Sequence, residues 1–315
     1  MLARILGAIG RLLIGVGLLL LAFVAFQLWG TGLEESNNQD SLAGEIGSSV
    51  GVQVGGDDPV AQITKQLGVV NTQTAPAVGP PAEGAAAGVI SIPRIGLSKV
   101  FVEGTAKADL KRGPGHYDGT PLPGQAGNAA IAGHRTTYGA PFNRIDELAP
   151  GDLIEIYTVQ GKFDYEVMAP PDNQGIERGP GFWTVRPEQG EVVGPLEGGG
   201  NTLTLTACHP KYSAKQRIIV RAKLLAPPAA TTPVATTTTP APAPDMADLD
   251  KSFAGDPDAL TIAIIWGVLC GVIFLLGWFL SRRWKKWPAY LLTTPLFLGA
   301  LWFCFFYTDR FLPSL

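Results

Sequence analysis

The sequence predicts an all-β domain, a sandwich or a closed barrel, held between membrane-spanning helices near its two ends. Three observations lead there. Apolar runs long enough to cross a bilayer lie only near the termini, the middle is a series of short β-rich runs separated by turn residues, and no strand–helix alternation interrupts that series. Composition agrees: 46% hydrophobic residues against 16% charged ones is high for a wholly soluble chain, and 39 glycines with 26 prolines are too many for a helical bundle. A formal charge of −3, with no basic face outside the membrane flanks, speaks against nucleic acid as a partner. The three cysteines, Cys208, Cys270 and Cys304, are too scattered for a four-ligand zinc site, and no metal or other cofactor is implied.

Taken in chain order, residues 12–29 are apolar and uncharged and follow Arg4 and Arg11. With 5–10 they reach the roughly 20 residues that a bilayer core of about 30 Å requires. A clean small-x-small cleavage site does not follow Trp29, so residues 1–29 read as an N-terminal transmembrane anchor rather than a signal peptide. Residues 30–87 carry seven acids and one lysine with weak hydrophobic periodicity. They read as an acidic disordered tether, with a short helix near 60–67 as an option.

The core is expected over 88–225, with 15 basic and 14 acidic residues. Its β-rich runs are 89–95, 99–104, 128–135, 152–160, 162–170, 201–210 and 216–225, with a tight turn at Gln160–Gly161. Only 141–148 offers a helical turn. A Pro/Thr-rich stalk follows over 226–258, its 226–247 portion of the extended polyproline type. Residues 259–280 form a transmembrane helix, 281–287 a cytoplasmic basic loop, 288–307 a further transmembrane helix and 308–315 a tail. A re-entrant segment is the alternative for 288–307, given Pro288 and Pro295. Arg282, Arg283, Lys285 and Lys286, like Arg4 and Arg11, belong on the cytoplasmic side. One topology satisfies both groups: N-terminus inside, 30–258 outside, 281–287 inside.

The chemistry of the core centres on Cys208, its only cysteine. Cys270 and Cys304 lie in apolar spans, where packing accounts for them. An unpaired thiol in an exported domain is either a small buried hydrophobe or a reactive group. Strand alternation puts Leu203, Leu205 and Ala207 on one face and Thr202, Thr204, Thr206 and Cys208 on the other, so the thiol is expected within reach at the end of its strand. If 209–216 forms a hairpin loop, Arg217 lies beside Cys208, where a guanidinium favours a thiolate and can hydrogen-bond an oxyanion. A cysteine nucleophile also needs a proton carrier, and all three histidines, His116, His134 and His209, are in this domain. His134 ends an apolar strand and precedes a loop, His209 faces away from Cys208, and His116 sits in a turn-rich segment or groove wall.

The run Thr204-Leu205-Thr206-Ala207-Cys208, with His134 upstream and Arg217 downstream, resembles the TLxTC motif, catalytic His and catalytic Arg of the sortases. The resemblance spans about 88–225 and includes Gly-His-Tyr-x-Gly-Thr-x-Leu-Pro-Gly (115–124), Ala-Gly-His-Arg-Thr (132–136) and Cys-His-Pro (208–210). Stretches 132–142 and 208–220 are most similar to class E. Ala207 stands where the family pattern has Thr.

The resemblance implies a closed eight-stranded β-barrel and a cysteine transpeptidase on the extracellular face of a Gram-positive-type envelope. Its implied catalytic residues are Cys208, His134 and Arg217, and its implied substrate-binding residues are Thr204, Leu205, Thr206, Ala207, His116, Tyr138 and His209. Its implied partners are secreted proteins bearing LPxTG- or LAxTG-type sorting signals, an amine of lipid II or another peptidoglycan precursor, and the lipid bilayer. Alternatives are a class C-like pilin polymerase, an idle sortase-like binding module, and a thioester resolved by water. Asp58-Pro59, followed by Val60 rather than an aromatic residue, is a poor match to the class C lid motif.

Overall fold

The computed structural model of the protein describes residues 2–172, 174–231, 256–283 and 286–312. Much of the expected stalk, 232–255, lies outside the described residues, as do 284–285 of the basic loop and 313–315 of the tail. The described helices are α1 (Leu2–Ala25), α2 (Thr31–Ser49), α3 (Pro59–Leu67), α4 (Lys107–Leu110), α5 (Pro257–Arg283) and α6 (Lys286–Phe311). The strands are β1 (Ala86–Ile92), β2 (Leu97–Glu103), β3 (Gly115–His116), β4 (Asn128–Ala132), β5 (Leu153–Thr158), β6 (Gly161–Val167), β7 (Trp183–Val185), β8 (Thr202–His209) and β9 (Gln216–Leu224). The molecule divides into a terminal helical unit and a β unit, the boundary in the N-terminal part falling between Gly30 and Thr31.

In the β unit, eight strands follow the order β6-β5-β1-β2-β3-β4-β8-β9, and pairing of β6 with β9 closes the barrel. The ninth strand, β7, pairs with β9 through Arg217, Ile218 and Ile219, away from the β6 contact. The expected closed eight-stranded barrel is therefore the observed one. Two strand neighbours, β2–β3 and β4–β8, are parallel, so the chain crosses the barrel twice rather than running as successive hairpins. The interior is filled by every second residue: Leu203, Leu205 and Ala207 of β8 meet Ile218, Val220 and Ala222 of β9 in one buried cluster with Ile131 and Phe163.

The β5–β6 turn falls one residue earlier than expected, at Val159–Gln160, because Thr158 pairs with Gly161. Gly161 takes φ 118°, which frees it to begin the strand. The Gln160 side chain turns inward and donates to Pro76 O at 3.0 Å and Ala230 O at 2.8 Å.

The disordered tether expected over 30–87 is instead largely folded onto the barrel. Leu42, Ala43 and Ile46 of α2 and Ile63 and Leu67 of α3 bury against Val89, Val100 and Val102 of β1 and β2. Their burial removes apolar area from water, which a solvated tether could not do. The short helix near 60–67 is α3, and its Asp58 side chain caps the first turn by accepting from Ala61 N at 2.9 Å. Within the terminal unit, α5 and α6 are each long and apolar enough to cross a membrane. Pro295 sits inside α6 without ending it, in keeping with the tolerance of membrane helices for proline.

Candidate active site

The strands β4, β8 and β9 are neighbours, and β9 begins where β8 ends. Cys208 and Arg217 are directly opposite on β8 and β9. On the other side, the parallel β4–β8 ladder pairs Ala130 with Thr204 and Ala132 with Thr206, and Gly133 N donates to Thr206 O at 3.0 Å. Continued by two residues, that register brings His134 level with Cys208. Paired residues share a sheet face, so Cys208 and Arg217 lie side by side on the outside of the barrel, and His134 follows two residues beyond the last β4–β8 pair. The Arg217 guanidinium is aimed by the turn before β9: its Nη1 donates to Ala214 O at 2.8 Å and to Gln216 O at 3.2 Å.

Strand alternation assigns the face of Cys208 correctly but leaves open what covers it. Cys208 is 0% exposed, and His134 and Arg217 are each 1% exposed. Leu110 of α4, Trp183 and Val185 of β7, and Val192 and Val193 of the following loop pack in one cluster with Cys208. That loop is tied down: Asn128 Nδ2 donates to Val193 O at 3.1 Å and Gly194 O at 2.9 Å, and Arg221 Nη2 donates to Val192 O at 2.8 Å. The thiol expected to be accessible is thus shielded by this cover.

Burial drives the His134 imidazole towards its neutral form. Its pKa is pushed down from 6.5 to about 3, first by desolvation and then by the positive charges of Lys111 and Lys107. The Tyr138 ring lies 5.2 Å from the His134 ring, and Lys111 Nζ lies 4.8 Å from the centroid of that same Tyr138 ring. A thiol, a neutral imidazole and a guanidinium in one dry site can form a nucleophile, an acid–base group and an oxyanion donor.

The remaining expected residues separate by face. Leu205 and Ala207 point into the barrel core, which corrects their assignment to substrate contact. Ala207 meets Ile218 across the strands, so an apolar side chain suits the site where the family pattern has Thr. Thr204 and Thr206 share the Cys208 face but are already engaged. Thr204 Oγ1 donates to Asn128 Oδ1 at 2.8 Å, and Thr206 Oγ1 and Tyr117 OH are 2.8 Å apart. Tyr117 went unread in the sequence, although it follows His116 within the quoted glycine-rich run. His116 is also displaced from its expected groove-wall role: fully buried, it sets Nδ1 2.8 Å from Glu103 Oε2 and Nε2 2.9 Å from Pro121 O. Engaged at both ring nitrogens, the imidazole is a cross-link of the β2–β3 region. Tyr138 adjoins His134, and His209, half-buried, places Nε2 3.0 Å from Glu177 Oε2.

A family model described as Sortase domain matches residues 90–225. Sortase SrtE1 of Streptomyces coelicolor is 31% identical over 230 residues, which cover 69% of this chain and 56% of that protein. Sortase D of Bacillus subtilis is 38% identical over 88 residues, 28% of this chain and 43% of that protein. The chain thus spans about half the length of these curated relatives. Among solved structures, sortase E from Streptomyces avermitilis is 35% identical over 46% of this chain and 91% of its own, with a TM-score of 0.39. The chain belongs to the sortase family and is class E-like.

Proposed function

We propose that the protein is a membrane-held cysteine transpeptidase that cleaves the Thr–Gly bond of LPxTG- or LAxTG-type sorting signals and joins the released carboxyl end to an amine of a cell-wall precursor. The observation that supports this reading most is Cys208 beside Arg217 across β8 and β9, with His134 two residues beyond the last β4–β8 pair. Cys208 Sγ attacks the threonine carbonyl, and the C–N bond breaks as His134 hands a proton to the departing glycine amine. The thioacyl group is then attacked by the acceptor amine, whose proton returns to His134, and the thiol is released. Arg217 donates to the substrate carbonyl oxygen as negative charge develops on it. Burial favours the neutral imidazole at rest, so His134 is set to take up a proton before it donates one.

The pilin-polymerising alternative loses its lid candidate, since Asp58 serves as the helix cap of α3. The idle-module alternative loses its support as well, since Ala207 faces the core and not the groove. In the membrane, the N-terminus and the 281–287 loop are assigned to the cytoplasmic side and the barrel to the outside.

The test uses the full chain in detergent or vesicles with two peptides that differ only in Pro or Ala at the second signal position, with and without a glycine-type or diamino-acid amine. Mass spectrometry is expected to show the thioacyl mass on Cys208, amine-joined product when amine is present, and hydrolysed product without it. No cleavage of either peptide, or undiminished cleavage by Cys208→Ala, overturns the reading.

A further inference from the structure

His134 and Cys208 lie past the end of the backbone ladder that relates their strands, so something else must hold their separation. Among the described residues that ladder ends with the bond from Gly133 N to Thr206 O. Next beyond it is a side chain: Arg135 Nη1 donates to Cys208 O at 3.3 Å. We propose that Arg135 is a positioning residue that fixes the nucleophile strand against the histidine loop; this rests on the reading of Cys208 and His134 as nucleophile and acid–base group.

The three guanidinium nitrogens of Arg135 engage three acceptors on two segments, β8 and residues 143–146. Besides Cys208 O, Nε donates to Asn143 O at 3.1 Å and Nη2 pairs with Asp146 Oδ1 at 2.9 Å. Asn143 Nδ2 donates back to Arg135 O at 2.9 Å, and Phe142 N donates to His134 O at 3.1 Å. The loop carrying His134 is thereby closed on itself and pinned to the carbonyl of the residue that carries the thiol. Arg135 is 1% exposed, whereas its partner Asp146 has a 42% exposed side chain. Burying a guanidinium is costly, and apolar packing of the same volume is often as stable, so a pure packing role does not call for this residue. What a planar fork provides is fixed geometry toward several acceptors at once. Lysine keeps the charge but cannot serve three directions from one rigid plane.

A displacement of the reacting groups by about 1 Å costs on the order of 100-fold in rate, whereas peptide contacts made elsewhere are retained. Arg135→Met in the full chain is therefore expected to lower kcat about 100-fold, with KM for whichever sorting peptide the wild type cleaves held within about twofold. Arg135→Lys is expected to keep the wild-type melting temperature and lower kcat by about tenfold. A readout independent of peptide is the pH profile of Cys208 alkylation by iodoacetamide, followed by peptide mapping. The groups that face His134, namely Lys107, Lys111 and Tyr138, are untouched in these variants. The profile of Arg135→Met should coincide with that of His134→Ala, because thiol and imidazole are uncoupled in both.

Unchanged kcat in Arg135→Lys, or an Arg135→Met alkylation profile that overlays the wild type, overturns the proposal. Should Arg135→Met fail to fold, the kcat of Arg135→Lys decides alone. If Cys208→Ala retains full activity, the transpeptidase reading fails; if it is inactive while Arg135→Lys matches wild type, only the positioning role fails.

Discussion

Burial holds the His134 imidazole neutral, and Lys111 and Lys107 act in the same direction. The consequence for stability follows from its sign. The unfolded chain takes up a proton near the ordinary pKa of 6.5, while the folded chain resists it down to about 3. Between those values the unfolded state binds more protons, so stability falls as the pH is lowered through 6.5. Urea unfolding of the wild type and of His134→Gln at pH 7.5 and 4.5 isolates this contribution from the other titrating groups. The wild type should lose about 2–3 kcal/mol more than the variant on acidification. Equal losses would mean that His134 is hydrated or paired as a cation. At this scale the sequence was informative about direction and poor about depth. Alternation along 202–208 set the face of Cys208, and the expected hairpin loop over 209–216 set Arg217 beside it, as β8 and β9 do. It could not reveal that β7 and the loop bearing Val192 and Val193 lie over the threonine face, because those residues come from a separate part of the chain.

The elements read most clearly were those whose side chains alternate simply. Each long strand of the barrel was visible as a β-rich run, but β3, two residues long, and β7, three residues long, were not, since so few residues establish no period. Helix α2 was missed for a different reason. Its buried positions, Thr31, Glu35, Gln39, Leu42, Ala43, Ile46 and Gly47, do follow a helical spacing. Three of them are polar, so the stripe has no apolar signature in its first half. Glu35 pairs through Oε2 with Lys99 Nζ at 2.8 Å. Gln39 replaces a strand partner: its Oε1 accepts from Val100 N at 2.7 Å, and its Nε2 donates to Val100 O at 3.0 Å and Arg112 O at 2.9 Å. Gln39→Ala strands a buried N–H and C=O of β2 and is expected to cost about 2–4 kcal/mol in urea unfolding, with faster amide exchange along α2. The exposed control Gln53→Ala should stay within about 0.5 kcal/mol of wild type. A cost for Gln39→Ala no larger than that of the control would show that α2 is not an integral part of the barrel unit.

The charge of −3 for the whole chain conceals a segregation that bears on how the molecule is placed in a bilayer. Acids outnumber bases seven to one over 30–87 and five to one over 226–258, while the barrel is nearly neutral and the bases Arg4, Arg11, Arg282, Arg283, Lys285 and Lys286 flank the apolar helices. Basic residues close to membrane spans are retained on the cytoplasmic side, whereas acids contribute little to orientation. At about 1.5 Å per residue, α5 and α6 are each about 40 Å long, enough to cross with some tilt. If both cross, the bases between them share one side, and the segments before α5 and after α6 share the other. If Arg4 and Arg11 also keep to the side of those bases, α1 crosses as well and the barrel lies on the opposite side. Single cysteines at Tyr212, 71% exposed on the barrel, and at Ser281, beside the basic loop, report the two sides in a chain whose own three cysteines are replaced. A membrane-impermeant maleimide applied to intact cells should label Tyr212→Cys at once and Ser281→Cys only after the membrane is opened. Labelling of both in intact cells would mean that the 281–287 loop is outside. Labelling of Ser281→Cys alone would place the barrel in the cytoplasm, away from any secreted substrate, and the assignment to cell-wall chemistry would fall with it.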